Sequence, residues 1–183
     1  MFLEGIKKIP LGRKAIIFGS NVLTYEDLLL KIDHFYKLIS STFDQKKVVV
    51  ISGDYSFNSI ALLFALCKHK CIFVPIISEN DEEIEKKLDV SSPDFVIDST
   101  SLNITSFQKN DERIISSYYS DLFKSDKSGL VLFSSGSTGN PKAMVHDFDN
   151  LLSTYKGGKV KDLKFLVFLL FDHIGGLNTM CSM

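Results

Sequence analysis

The spacing of apolar residues changes several times along the chain, and each change marks an element. In Ala15 to Tyr25, AIIFGSNVLTY, two short apolar runs flank Gly19, Ser20 and Asn21, residues that tolerate positive φ, and together they predict a β-hairpin. Thr24 followed by Asp27 is a capping-box pattern. Beyond it Leu28, Ile32, Phe35 and Ile39 form the apolar stripe of an amphipathic helix running from about Tyr25 to Ser40. Lys47 to Ser52, KVVVIS, is a continuous apolar run ended by Gly53, as expected of a strand covered on both faces. Ser56 to Lys70 is apolar almost all round and predicts a buried helix, after which Cys71 to Ile77 returns to strand character.

Glu79 to Val90, ENDEEIEKKLDV, places acids first and lysines near the end, which suits the helix macrodipole and predicts a solvated helix. Asp94 to Asp98, a stretch near Arg113 to Ile115, Leu130 to Phe133 and Phe165 to Phe171 are expected strands. Asp147 is placed to cap a helix over Phe148 to Tyr155. Strands alternating with helices at this spacing predict an α/β fold. Its sheet is mostly parallel, with helices on both faces, and a short N-terminal hairpin precedes it. The last residues, HIGGLNTMCSM, read as a turn and the first residues of an apolar helix that meets Met183 without a cap or polar tail. The expectation is one incomplete domain over 1–183.

Composition narrows the function classes. A length of 183 residues, 45% hydrophobic and with net charge -1, fits a single globular domain and gives no overall field to attract nucleic acid. The apolar runs Ile60 to Cys67 and Phe165 to Phe171 are much shorter than the roughly 20 residues that span a bilayer. The N-terminus carries no apolar stretch followed by a small-residue cleavage site, so the expected compartment is the cytoplasm. Cys67, Cys71 and Cys181 do not form a disulfide framework. Cys67 and Cys71 could share a helix face, but no second ligand pair follows, so they read as core residues and no metal site is expected. His34 and His69 read as surface or core residues, and His146 as a flank of the loop described next.

The chemistry concentrates in Gly129 to Lys142, GLVLFSSGSTGNPK, where an apolar strand runs into a loop of hydroxyl residues and glycines closed by Pro141 and a lysine. Gly136 and Gly139 permit a backbone nest of N–H groups that receives a polyanion. Ser134, Ser135, Ser137 and Thr138 add hydroxyl donors, and Lys142 adds a positive charge, so phosphate is the expected ligand. The spacing is neither that of a Walker loop nor GxGxxG. A flexible linker is the plain alternative, but this string is framed by a strand and a further element.

FSSGSTGNPKA resembles the phosphate-binding signature of the adenylate-forming superfamily, which includes acyl-CoA synthetases, luciferases and nonribosomal peptide synthetase adenylation domains. LTYEDLLLKI from Leu23, ALCKHKCIFVPI from Ala65 and FLLFDHIGGLNTM from Phe168 are similar to further family segments, in the family's order. The resemblance spans nearly the whole chain but only the first part of a family member. Two departures are Lys70, where the family usually has glycine, and Phe148, where many members have histidine.

The resemblance implies an ATP-dependent ligase that makes an acyl-adenylate from a carboxylic acid and passes the acyl group to a thiol, either coenzyme A or phosphopantetheine on a carrier protein. Ser134, Ser135, Gly136, Ser137, Thr138, Gly139 and Lys142 would hold the β and γ phosphates, with Thr138 and Lys142 the foremost. In the acyl-CoA form His173, Gly175 and Gly176 would line the acid pocket. In the amino-acid-activating form Asp172 would hold the substrate ammonium. The double glycine favours the acyl form; Asp172 as a helix cap and His173 as packing is the plain alternative. The magnesium ligand is expected beyond Met183, so the chain alone is expected to bind ATP weakly and form no adenylate. A phosphate-binding or kinase-like module, which needs no acid, and a non-catalytic remnant, indifferent to Lys142→Ala, are the competing classes.

Overall fold

A computed structural model describes residues 2–107, 117–134, 140–155 and 164–182. A short helix, α1 (Phe2–Ile6), precedes an antiparallel hairpin of β1 (Lys14–Phe18) and β2 (Asn21–Thr24). Helix α2 (Tyr25–Thr42) starts at the capping box: Thr24 Oγ1 accepts from the Asp27 N–H at 3.2 Å, and the Thr24 N–H donates to Asp27 Oδ2 at 2.9 Å. Its buried residues are Leu28, Ile32, Phe35 and Ile39, the stripe that the spacing predicts. Then follow β3 (Val48–Ser52), α3 (Phe57–Lys68), β4 (Ile72–Ile76), α4 (Asp81–Ser91) and β5 (Phe95–Asp98). The chain continues through β6 (Ile104–Ser106), α5 (Ser117–Lys124), β7 (Gly129–Ser134), β8 (Lys142–Asp147), α6 (Phe148–Ser153) and α7 (Ile174–Cys181).

The main sheet has the order β6-β5-β3-β4-β7-β8. Strands β5, β3, β4 and β7 are parallel, while β6 and β8 add antiparallel edges. Alternate residues of the central strands enter two different cores. Val49, Ile51 and Phe73 join α2, α3 and α6 on one face, and Val48, Val50 and Val74 join α4 and α5 on the other. That two-sided burial is why these strands read as unbroken apolar runs. No helix among the described residues is long and apolar enough to cross a membrane.

The two family departures have local explanations. Helix α3 ends in a Schellman arrangement, with the Lys70 N–H on Cys67 O at 3.1 Å and the Cys71 N–H on Leu66 O at 3.0 Å. That places Lys70 in the left-handed region at φ 59, the conformation for which glycine is preferred. Phe148 is fully buried and meets the Phe73 ring edge-on at 4.7 Å. The three thiols are free and buried, and burial pushes each up to about 12, so they remain protonated core groups. His69 is buried too, with Nε2 3.1 Å from Phe43 O, whereas His34 is exposed.

Elements α1, β6, α5 and β8 are additions to the sequence reading, and the expected strand near Arg113 to Ile115 lies outside the described residues. Phe165 to Phe171 requires a correction: among the described residues it joins no ladder, and Leu166 and Phe168 are 82% and 79% exposed. An apolar run becomes a strand only beside an open strand edge, and β7 has given its outer edge to β8. The segment is an extended strap leading into α7.

Candidate functional site

Strand β7 leaves the core gradually: Gly129 to Leu132 are buried, and Phe133 and Ser134 are partly exposed. Its pairing with β4 ends at Phe73 opposite Leu130, two residues short of Pro75, which has no N–H to donate. Past that point β7 pairs with β8 alone, as far as Ser134 opposite Lys142. The two ends of the hydroxyl-and-glycine loop are thereby joined as cross-strand partners at the carboxyl edge of the parallel strands. Open α/β sheets place ligands at that edge. Ser135, Gly136, Ser137, Thr138 and Gly139 lie outside the described residues. Lys142 is exposed at the first position of β8. Along β8, Lys142, Ala143, Met144 and Val145 alternate exposed and partly buried. Asp147 caps α6 as expected, accepting from the Asn150 N–H at 2.8 Å. His146, on β8, keeps Nε2 buried with no hydrogen-bond partner.

Beside the loop ends opens a cavity of about 560 Å³. Phe133, Ser134, Asn140 and Pro141 form one wall, Asp172 and His173 another, and Lys87 of α4 a third. The Asp172 side chain is 16% exposed; its Oδ2 lies 3.9 Å from Lys87 Nζ, and its Oδ1 is buried without a hydrogen-bond partner. Burial pushes the Asp172 carboxyl above its ordinary range, against the opposing pull of Lys87. His173 occupies the N-cap position of α7 with no side-chain cap bond, so Asp172 is not that helix's cap.

Gly175 and Gly176 belong to the first turn of α7 and are not in the cavity wall. A Cβ on Gly176 would come within 2.6 Å of Leu170 O, 2.8 Å of Leu169 O and 2.8 Å of Tyr55 Oη. The second glycine therefore lets α7 pack on the strap's backbone, a purpose independent of any ligand. At Gly175 a Cβ would meet only the Leu169 Cδ1 side-chain tip, at 2.6 Å.

Sequence reasoning missed Asp54, Tyr55 and Lys87, three residues that build this corner. Gly53, at φ +115, turns the chain after β3 and sets Asp54, whose Oδ1 accepts from the Phe171 N–H at 3.1 Å and the Tyr55 N–H at 2.7 Å. The Tyr55 ring stands edge-on to Phe171 at 5.1 Å. Asp54 and Tyr55 thus anchor the strap just before Asp172. Their only signal was position, immediately after a both-faces-buried strand. The third, Lys87, was read as one more charge of a solvated helix, although it lies beside Ile84 and Leu88 on the face that packs on the core. Among the described residues no group of three or more His, Cys, Asp or Glu side chains is placed to hold a metal ion.

The family model described as AMP-binding enzyme matches residues 3–183. Bacitracin synthase 1 of Bacillus licheniformis is 27% identical over 165 residues, covering 84% of this chain and 3% of that protein. The D-alanine–D-alanyl carrier protein ligase of Streptococcus pneumoniae is 27% identical over 142 residues, covering 71% of this chain and 28% of that one. Among solved structures, the NpsA N-terminal subdomain of Klebsiella oxytoca, in complex with 3-hydroxyanthranilyl-AMSN, aligns with TM-score 0.65 at 20% identity over 85% of this chain and 41% of its own. The o-succinylbenzoate coenzyme A synthetase MenE of Bacillus subtilis, in complex with AMP, aligns with TM-score 0.71 at 17% identity over 100% of this chain and 52% of its own. These structural likenesses show a shared fold. The chain spans about a quarter of the length of the carrier protein ligase, and far less of the synthase.

Proposed function

The chain belongs to the AMP-binding enzyme family, and from that premise we propose that it supplies the triphosphate grip and part of the acid pocket of a cytoplasmic, ATP-dependent, acid–thiol ligase. In that reaction a substrate carboxylate attacks the α-phosphorus of ATP, pyrophosphate leaves, and the acyl group then moves from the adenylate to a thiol of coenzyme A or a carrier protein. The closure of Ser134 on Lys142 beside the Asp172 cavity is the observation that carries this reading. Ser134 to Lys142 hold the β and γ phosphates, keeping the leaving group in place as charge builds on it. Magnesium neutralises phosphate charge when the nucleotide carries it, with its protein ligand among residues other than those described.

The acid is an amino acid. The double glycine was the ground for the acyl-CoA form, and packing of α7 accounts for Gly176 without a substrate. Asp172, by contrast, is a carboxylate in the cavity wall with one oxygen lacking any donor, and a substrate ammonium supplies both the donor and the charge. A relative named for D-alanine points the same way.

The chain spans 28% of the carrier protein ligase it matches, and the family's adenine, ribose and magnesium contacts are expected outside it, so the 183-residue chain binds ATP weakly and forms no adenylate by itself. Titrating the labelled chain with ATP while following amide resonances tests the grip. The expected result is shifts at Ser134 and Lys142 and an affinity at least about tenfold weaker in Lys142→Ala, as for loss of one charge-assisted contact. Equal affinity of the two proteins would overturn the phosphate-grip assignment, whereas adenylate formed by this polypeptide alone would overturn only its expected inactivity in isolation.

A further inference from the structure

One residue of the charged helix α4 is out of place. Glu82 and Lys86 pair at its surface at 2.7 Å, but Lys87, the next residue, is only 7% exposed. A lysine is seldom buried unless its ammonium has partners. Lys87 has three: Glu83 Oε1 at 2.7 Å, the Phe133 ring at 5.7 Å from its centroid, and Asp172 Oδ2 at 3.9 Å. The last distance is too long for a hydrogen bond yet short enough for strong attraction between charges. Lys87 therefore supports the charge of Asp172 without occupying its lone pairs. The terminal torsion of an aspartate is broad and two-fold, so a small turn presents either oxygen to the cavity. Glu83, Lys87 and Asp172 together carry one net negative charge, which an arriving ammonium cancels.

We propose that Lys87 is a positioning residue for amine recognition: reaching across from α4, it supports the charge of Asp172 in the cavity wall from beyond hydrogen-bond range and leaves Oδ1 for the ammonium of an amino-acid substrate. The inference rests on the amino-acid reading above. Without Lys87, one of the groups that opposes the upward push of burial on Asp172 is lost, and the protonated form, which attracts an ammonium poorly, gains ground. The titratable groups around Asp172 are Lys87 and Glu83 on α4, the adjacent His173, and Tyr55 of the loop after β3, with Asp54 anchoring the strap at Phe171. Of these, Lys87 is the cation in ion-pair range.

The test is a carboxyl-carbon NMR titration of Asp172 in the full chain, on wild type, Lys87→Met, Lys87→Arg and Glu83→Gln, followed by titration of each with L-alanine and with propionate. Lys87→Met should raise the Asp172 midpoint by about one unit or more, the usual effect of losing an adjacent opposite charge. Lys87→Arg should restore it, and Glu83→Gln, which frees Lys87 for Asp172, should lower it. Alanine binding should fail at a correspondingly higher pH in Lys87→Met, while propionate binding is unchanged. An Asp172 midpoint unmoved in Lys87→Met would overturn the role of Lys87 and leave the amino-acid reading standing. Wild type that does not prefer alanine to propionate would overturn that reading, and this inference with it.

Discussion

Asp149 Oδ2 accepts from the Ser128 N–H at 2.7 Å, from Ser128 Oγ at 3.0 Å and from Lys70 Nζ at 3.2 Å. Asp172, at comparable depth, has one oxygen with no donor and a lysine that stops at 3.9 Å. Their side chains are 28% and 16% exposed, so burial alone does not separate them. Burial pushes both carboxyls up. At Asp149 the Ser128 N–H and the Lys70 ammonium outweigh it and hold the group below the ordinary carboxylate range, whereas at Asp172 burial wins. Asp149 ties α6 to the α3–β4 turn and to the start of β7, and its needs are met within the chain. Asp172 lines a cavity with Oδ1 lacking a partner, which is the ground for the amine reading proposed above.

Removing each carboxylate gives the sharpest form of this contrast. Asp149→Ala should destabilise the chain by about 2 kcal/mol in urea denaturation, because it strands the Ser128 N–H and Lys70 together. Asp172→Asn should leave stability within about 0.5 kcal/mol of wild type, since it removes a charge that burial disfavours, and should abolish any preference for alanine over propionate. If Asp172→Asn proved as damaging as Asp149→Ala, Asp172 would be a structural group and the contrast would vanish.

Next in size is Gly176→Ala, expected to cost about 1–2 kcal/mol, because the new methyl group meets two backbone carbonyls that cannot move aside cheaply. Gly175→Ala meets only a leucine side-chain tip and should cost less. A Gly176→Ala chain of wild-type stability with altered acid preference would return the glycine pair to the pocket and revive the acyl-CoA form.

The pH dependence separates the carboxylates with opposite signs. Asp149 is depressed, so its contribution is present above the unfolded value of about 4 and is lost as pH falls through its lower folded value. Asp172 is raised, so its contribution is present below about 4 and is lost as pH rises through its higher folded value. Asp149→Asn should therefore flatten the acid-side fall in stability, and Asp172→Asn should remove the decline just above it. Denaturation midpoints measured across that range read both, and a shared sign for the two variants would break the comparison.

The same contrast explains what could be read from the sequence. Hairpin, capped helices and the two-sided strands are fixed by nearest neighbours and period, so Thr24, Leu28 or Val49 announce themselves. The hydroxyl-and-glycine loop was legible as a motif, and its two ends, Ser134 and Lys142, are cross-strand partners. Phe165 to Phe171 misled because an apolar run does not reveal whether a strand edge is free beside it. Lys87 was misread because Phe133 and Asp172, remote in sequence, convert a surface-type lysine into a buried one. Asp149 read as one more residue of a short helix, since its donors come from Ser128 and Lys70.

The smallest expected effect tests how Asp149 is satisfied. Lys70 adopts φ 59, which costs a side-chain-bearing residue about 1 kcal/mol relative to glycine, and its ammonium sits on Asp149. Lys70→Ala keeps the unfavourable backbone and loses the ion pair; Lys70→Gly loses the pair but relieves the backbone. Lys70→Gly should thus be about 1 kcal/mol more stable than Lys70→Ala and close to wild type. Repeating Lys70→Ala in the Asp149→Ala background isolates the pair itself, because there the alanine should cost almost nothing. If it costs as much as in wild type, Lys70 contributes packing rather than charge, and Asp149 owes its low carboxyl range to Ser128 alone.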